Sequence, residues 1–194
     1  MEELKNYEKV SIYGLDEGQR EELLQAQREC VFNWCTKDSW PIGVIMTMLW
    51  CDGKAWLTCT KQRHRVSAVR RNPKVSVVLT SKGTSLGPNK TVTIKGTCLI
   101  HDSREIKNWF YPRFALRRCD GDQAEANEFI KMLDSPRRVV LEVRPEKYIS
   151  YDGAKLEAHT RGTIEPDQLT EMSESDSKSY ESARSHLGAK NDSP

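Results

Sequence analysis

Lys61, Arg63, Arg65, Arg70 and Arg71 fall within eleven positions of the stretch 58–73, TCTKQRHRVSAVRRNP, which reads as a strand ending in threonines, a turn and a short helix. From residue 53 to residue 101 there is no Asp or Glu, while the same span holds ten Lys or Arg. Cations packed this densely repel one another, so a fold that keeps them without local carboxylates predicts a negative partner. Arg offers a rigid fork of N–H donors that matches phosphate oxygens, and the free N–H groups opening a helix add to the attraction. The chemistry this spacing suggests is the capture of a phosphate.

The elements that position this corner follow from periodicity and turn chemistry. A helix is expected over 17–29, opened by Asp16 and Gln19 in the form of a capping box. Strands are expected over 30–36, 41–50, 55–60, 74–80, 91–100 and 137–143, with 148–151 as a further edge. Asp52-Gly53 marks a hairpin. The run PIGVIMTMLW is apolar on both faces, which predicts cover on both sides, by a barrel interior and by a helix or a second subunit. Gly96 marks a bulge or a close approach. Helices are expected over 104–118, interrupted at Pro112, and over 124–133. Short strands with helices only at the ends and before the last strand predict a mainly β fold, a small antiparallel barrel with peripheral helices. No glycine-rich phosphate loop of the Rossmann or P-loop kind occurs.

The 194 residues divide into an N-terminal segment and helix (1–29), a barrel domain (30–162) and an acidic tail (163–194) expected to lack regular structure. From residue 164 onward seven acids face three bases; the whole chain is +2, so the body is +6. The six cysteines form no C-x-x-C pair and lie mostly in apolar strand-like runs, so they read as reduced core thiols with no metal site. The charged start MEELKNYEKV lacks an apolar signal region and no stretch is long enough to span a bilayer, which predicts a cytoplasmic protein.

The ordered set of the 41–50 run, the Asp52-Gly53 hairpin, Thr58-x-Thr60, the basic turn, Arg71-Asn72-Pro73 and Lys90-Thr91-Val92-Thr93-Ile94-Lys95-Gly96 resembles the pyridoxamine 5'-phosphate oxidase-like flavoproteins over residues 30–151. The resemblance implies an FMN-binding split β-barrel of Greek-key type, a homodimer with the cofactor at the subunit interface, and FMN-dependent oxidoreductase activity on a small-molecule substrate. A deazaflavin coenzyme in place of FMN, and a non-catalytic flavin- or haem-binding barrel, are the alternatives. Carried onto this chain, the backbone of Val44, Ile45, Met46 and Thr47 lies along the flavin ring, and Thr58 and Thr60 offer hydroxyls. The basic pair that grips the phosphate falls on His64 and Arg65, with Arg63 the alternative if the turn is offset by one, and Lys90 and Thr91 open the later strand as a polar pair. The C-terminal Trp, His and Arg motif with which the vitamin-specific oxidase reads its substrate is missing after Arg161, which argues against pyridoxamine phosphate as substrate. No catalytic acid or base stands out.

Two other readings of the basic run compete, a solvated surface and a nucleic-acid contact. The missing acids oppose the first. The aromatics at 109–114 lie far from the run, so no interleaved stacking platform supports the second; they read as core or dimer-contact residues, and His101 as structural.

Overall fold

The structure, a computed structural model, describes residues 9–191, with side chains described to residue 185. A short 3-10 helix, Val10–Tyr13, precedes α1 (Glu17–Ala26). The capping box is formed: Asp16 Oδ1 accepts from Gln19 N–H at 2.8 Å, and Gln19 Oε1 accepts from the Asp16 N–H at 3.2 Å. The helix stops three residues earlier than its pattern predicts, because the sheet claims the chain. Met48 N–H donates to Arg28 O at 2.7 Å, and Glu29 already pairs with Thr47.

Seven strands follow: β1 (Glu29–Cys35), β2 (Pro41–Thr47), β3 (Leu49–Cys51), β4 (Lys54–Thr60), β5 (Lys74–Thr80), β6 (Lys90–His101) and β7 (Arg138–Asp152). Every pairing is antiparallel, in the order β2-β1-β5-β6-β7-β4-β3. The run 41–50, expected as one strand, is two: β2 pairs with β1 and β3 with β4, so the two ends of the sheet are joined through Met48 alone. That single-residue link forces the sheet to curl, and the fold is a split barrel. Asp52 and Gly53 both take positive φ, 52° and 68°, as the tight hairpin between β3 and β4 requires.

Inward residues alternate along the strands and fill the barrel, with Phe32, Met48, Leu57, Val77, Ile94 and Leu141 fully buried. A second apolar layer lies outside. There α3 (Arg104–Arg118) packs Phe110, Tyr111 and Phe114 against Leu49, Trp56 and Val140, with Leu133 of α4 (Gln123–Leu133). The double cover predicted for 41–50 therefore holds for Met48, Leu49 and Trp50, whereas Ile45 is 72% exposed.

Pro112 does not interrupt α3. It is exposed, and the Asn108 carbonyl that loses its donor belongs to an exposed residue, while the buried neighbours Phe110, Tyr111, Phe114 and Ala115 hold the helix through. The two expected strand pieces at 137–143 and 148–151 are one strand, β7. Pro145 sits opposite Gly96 at the register shift, where a missing N–H costs least.

Beyond β7 come α5 (Gly153–Arg161), a 3-10 turn at Pro166–Gln168 and α6 (Glu174–Asn191), so the tail carries helix where its composition predicts no regular structure. Two contacts to the N-terminal segment and one ion pair within α6 account for this. Thr170 N–H donates to Ile12 O at 2.8 Å, Lys9 lies over the Tyr180 ring, and Glu174 pairs with Lys178 one turn along. Cys30, Cys59, Cys98 and Cys119 are buried, Cys51 is half-buried, and Cys35 is exposed rather than in the core; none forms a disulfide. Burial pushes the thiols of Cys30 and Cys98 up to about 12, so both stay protonated and inert. Among the described residues no group of His, Cys, Asp or Glu could hold a metal ion, and no helix is long and apolar enough to cross a membrane.

Candidate functional site

At the end of β4, Cys59 points into the barrel while Thr58 and Thr60 point out. The Thr58 hydroxyl donates to Val139 O at 2.8 Å, so its proton is engaged within the sheet; the Thr60 hydroxyl has no such partner among the described residues. The chain then turns, with Lys61 N–H donating to Arg137 O at 2.7 Å and Arg63 N–H to Thr60 O at 3.1 Å. α2 (His64–Arg71) begins here. Its N-cap residue is Arg63, whose side chain cannot accept a hydrogen bond, so the first N–H groups of α2 lack a side-chain cap. Val66, Ala68 and Val69 bury one face of the helix in the barrel core, which fixes Arg63 and His64 outward.

Arg65 lies between these environments. Its Nη1 sits 3.1 Å from Met46 Sδ, its guanidinium carbon is 5.5 Å from the centre of the Trp34 ring, and its Nε is buried with no hydrogen-bond partner. The contact joins β2 to α2, so the predicted ring-facing segment and the predicted phosphate grip are brought together. Within that segment Met46 is buried, Val44 and Thr47 are half-buried and Ile45 is exposed.

Tertiary structure supplies some of the acids that the local sequence lacks. Lys54 pairs with Glu142 at 3.1 Å, Lys61 with Asp102 at 2.5 Å and Lys90 with Asp152 at 3.5 Å. Among the described residues no carboxylate pairs with Arg63, Arg65, Arg70 or Arg71; Arg71 donates instead to Cys35 O at 3.0 Å. Of the seven cations of the run left without a carboxylate among the described residues, four lie on α2 and the turn before it; Lys74, Lys82 and Lys95 are the others.

Lys90 and Thr91 are not part of this group. They open β6, whereas the end of α2 is tied further along that strand, where Cys98 N–H donates to Pro73 O at 2.8 Å. Thr91 instead lines a separate cleft of about 990 Å³ with Thr80, Lys82, Tyr151 and Arg161.

The sequence reading also misses a polar cluster built around one buried carboxylate outside the barrel. Glu142, 2% exposed, accepts from Arg144 Nε at 2.7 Å and meets His101 Nε2 at 2.6 Å and Lys54 Nζ at 3.1 Å. Burial pushes its carboxyl up, but the hydrogen bonds from Arg144, His101 and Lys54 outweigh this and hold it at about 2. Every group in it is partnered, so the cluster reads as structural. No signal in the sequence could have located it, because its members come from three strands distant in the chain.

A seven-stranded split barrel with a cationic corner beside its second strand is the class that the fold and its charges define. The sequence profile for pyridoxamine 5'-phosphate oxidase matches residues 17–152, from the first residue of α1 to the last of β7, and the chain belongs to that family. No match appears among curated proteins. Solved structures share the fold. A conserved hypothetical protein of Mycobacterium tuberculosis superposes with a TM-score of 0.64 at 18% identity, covering 84% of this chain and 94% of its own. A putative pyridoxamine 5'-phosphate oxidase of Listeria innocua gives 0.54 at 21%, covering 69% and 96%. An F420 reductase gives 0.52 at 21%, covering 69% and 98%.

Proposed function

We propose that the protein is an FMN-dependent oxidoreductase acting as a homodimer on a small-molecule substrate other than pyridoxamine phosphate. The observation that carries this reading is Arg65. A guanidinium Nε buried without a partner costs about 1–3 kcal/mol, a cost that an anion received at the head of α2 offsets. In this reading Arg63, His64 and Arg65 hold the phosphate together with the uncapped N–H groups of α2. Thr60 adds its hydroxyl. The backbone of Val44–Thr47 supports the ring, placed there by the Met46–Arg65 contact. Bound FMN supplies the electron and hydride chemistry. The chain's own part is to orient the ring, exclude water from one face through the buried Met46 and Trp34, and set the local charge.

The homodimer accounts for two further features. Ile45 is 72% exposed on the outer face of β2, beside half-buried Val31 and Val78 of the adjoining strands, an apolar patch that a second copy would cover. Lys90 and Thr91, remote from α2 in their own chain, would enter the site from that copy.

The absorption spectrum of the purified protein, as isolated and after reconstitution, tests the cofactor. FMN gives two visible bands, a deazaflavin a single band at shorter visible wavelength, and haem a Soret band. The fold is shared with an F420 reductase, so the deazaflavin is the second reading, and the uncompensated Arg70 and Arg71 suit its acidic tail. A protein that takes up none of the three overturns the proposal.

A further inference from the structure

We propose that Arg138 is a further phosphate-binding residue of this site, and that it makes the site select phosphorylated over unphosphorylated flavin; the inference rests on the flavin reading above. Arg138 stands opposite Thr60 in the antiparallel pairing of β4 with β7. Residues directly opposite one another project from the same face, with Cβ atoms about 5 Å apart. The Arg138 side chain therefore rises beside the hydroxyl that ends β4, on the side of the sheet where the turn to α2 begins. The pairing extends past the strand, since Lys61 N–H donates to the carbonyl of Arg137 at 2.7 Å, so the neighbourhood of Thr60 and Arg138 is fixed by main-chain hydrogen bonds.

Among the described residues no carboxylate balances the charge of Arg138. Its Nε is buried without a hydrogen-bond partner, as is that of Arg65, and among the described residues it forms no ion pair. The carboxylates that share the surroundings of Tyr111 with Arg138 are engaged elsewhere. Asp134 accepts from Arg104 at 2.6 Å, and Asp102 is held by Lys61 at 2.5 Å and Lys107 at 2.8 Å. The Tyr111 hydroxyl, which shares the surroundings of Arg138, Asp134 and Asp102, is neutral and cannot balance a cation. The thiol of Cys59, one residue before Thr60, reports how the cations converge. Burial pushes it up, while Arg65, Arg138 and Arg63, in that order, pull it down. Guanidiniums from two distant segments thus act on the end of β4. Two of them, Arg65 and Arg138, have a buried Nε without a partner. A phosphate monoester carries close to two negative charges and several acceptor oxygens, which matches more than one guanidinium. A ribityl chain ending in a hydroxyl offers nothing to this second cation.

The test compares FMN with riboflavin by titrating flavin fluorescence against the wild type, Arg138→Ala and Arg138→Lys. The proposal expects Arg138→Ala to weaken FMN binding about tenfold while riboflavin binding stays as in the wild type, with Arg138→Lys restoring part of the loss. A purely structural role moves both flavins together, and equal weakening of both, or of neither, overturns the proposal. Thermal unfolding in the presence of inorganic pyrophosphate separates this inference from the flavin reading. If the wild type binds neither flavin but pyrophosphate raises its melting temperature, and Arg138→Ala abolishes that rise, the anion site stands and only the flavin falls. Protection retained in Arg138→Ala, or absent from the wild type, overturns the assignment.

Discussion

A Cβ on Gly96 would overlap the carbonyl oxygen of Arg144 and stand 3.0 Å from its carbonyl carbon. The obstacle is backbone of the partner strand at the bulge between β6 and β7, so no rotamer change relieves it. Gly96→Ala is expected to destabilise the fold by about 3 kcal/mol, read as a lower urea midpoint with the slope unchanged. A midpoint equal to the wild type would mean that the two strands are not in this register.

Glu142 ties Lys54, His101 and Arg144 together, and its carboxyl is held at about 2 against an ordinary 4.5. A depressed carboxyl stabilises the fold above its unfolded value, and the contribution is lost as pH falls through the folded value. The shift corresponds to about 3 kcal/mol, complete above pH 4.5 and lost towards pH 2. The stability gap between the wild type and Glu142→Gln should therefore narrow across that window in urea titrations. A gap that does not change with pH would show that the carboxylate charge is not what the cluster holds.

The two threonines at the end of β4 are expected to separate. Thr58 donates to Val139 O, so Thr58→Val should cost about 1 kcal/mol of stability and leave FMN affinity alone. Thr60→Val should do the reverse, weakening FMN binding with little change in melting temperature. Loss of FMN affinity in Thr58→Val would place the ligand further along the strand than proposed.

For the dimer, Ile45→Lys places a charge in the centre of the exposed patch on β2. Sedimentation should show a halved mass, and FMN binding should weaken in parallel because the site loses the second copy's contribution. An unchanged dimer would move the interface to another face.

Capping offers a test independent of the site. Asp16 and Gln19 close the start of α1, so Asp16→Ala is expected to cost about 1 kcal/mol, measured by thermal unfolding. No change would mean that α1 is held by the burial of Leu23 and Leu24 alone.

Much of the barrel is legible in the sequence because it is written locally. The strand 74–80 occurs with the bounds its alternation predicts, the positive-φ pair Asp52-Gly53 makes the hairpin, Asp16 and Gln19 form their box, and Gly96 marks the bulge. Side-chain alternation, turn chemistry and caps are properties of neighbouring residues, so a linear reading reaches them. The basic run is equally visible, as is its lack of local acids. What that charge faces is decided elsewhere: Glu142, Asp102 and Asp152 neutralise three of the lysines, and Arg138 joins the arginines across β4 and β7. Likewise the 41–50 run breaks at Met48 only because Arg28 and β4 compete for its two halves. Sequence alone settled the residue types and their local elements. The tertiary structure alone chose which cations stand without a carboxylate partner, because Coulomb interactions and strand register act between residues close in space, whatever their separation along the chain.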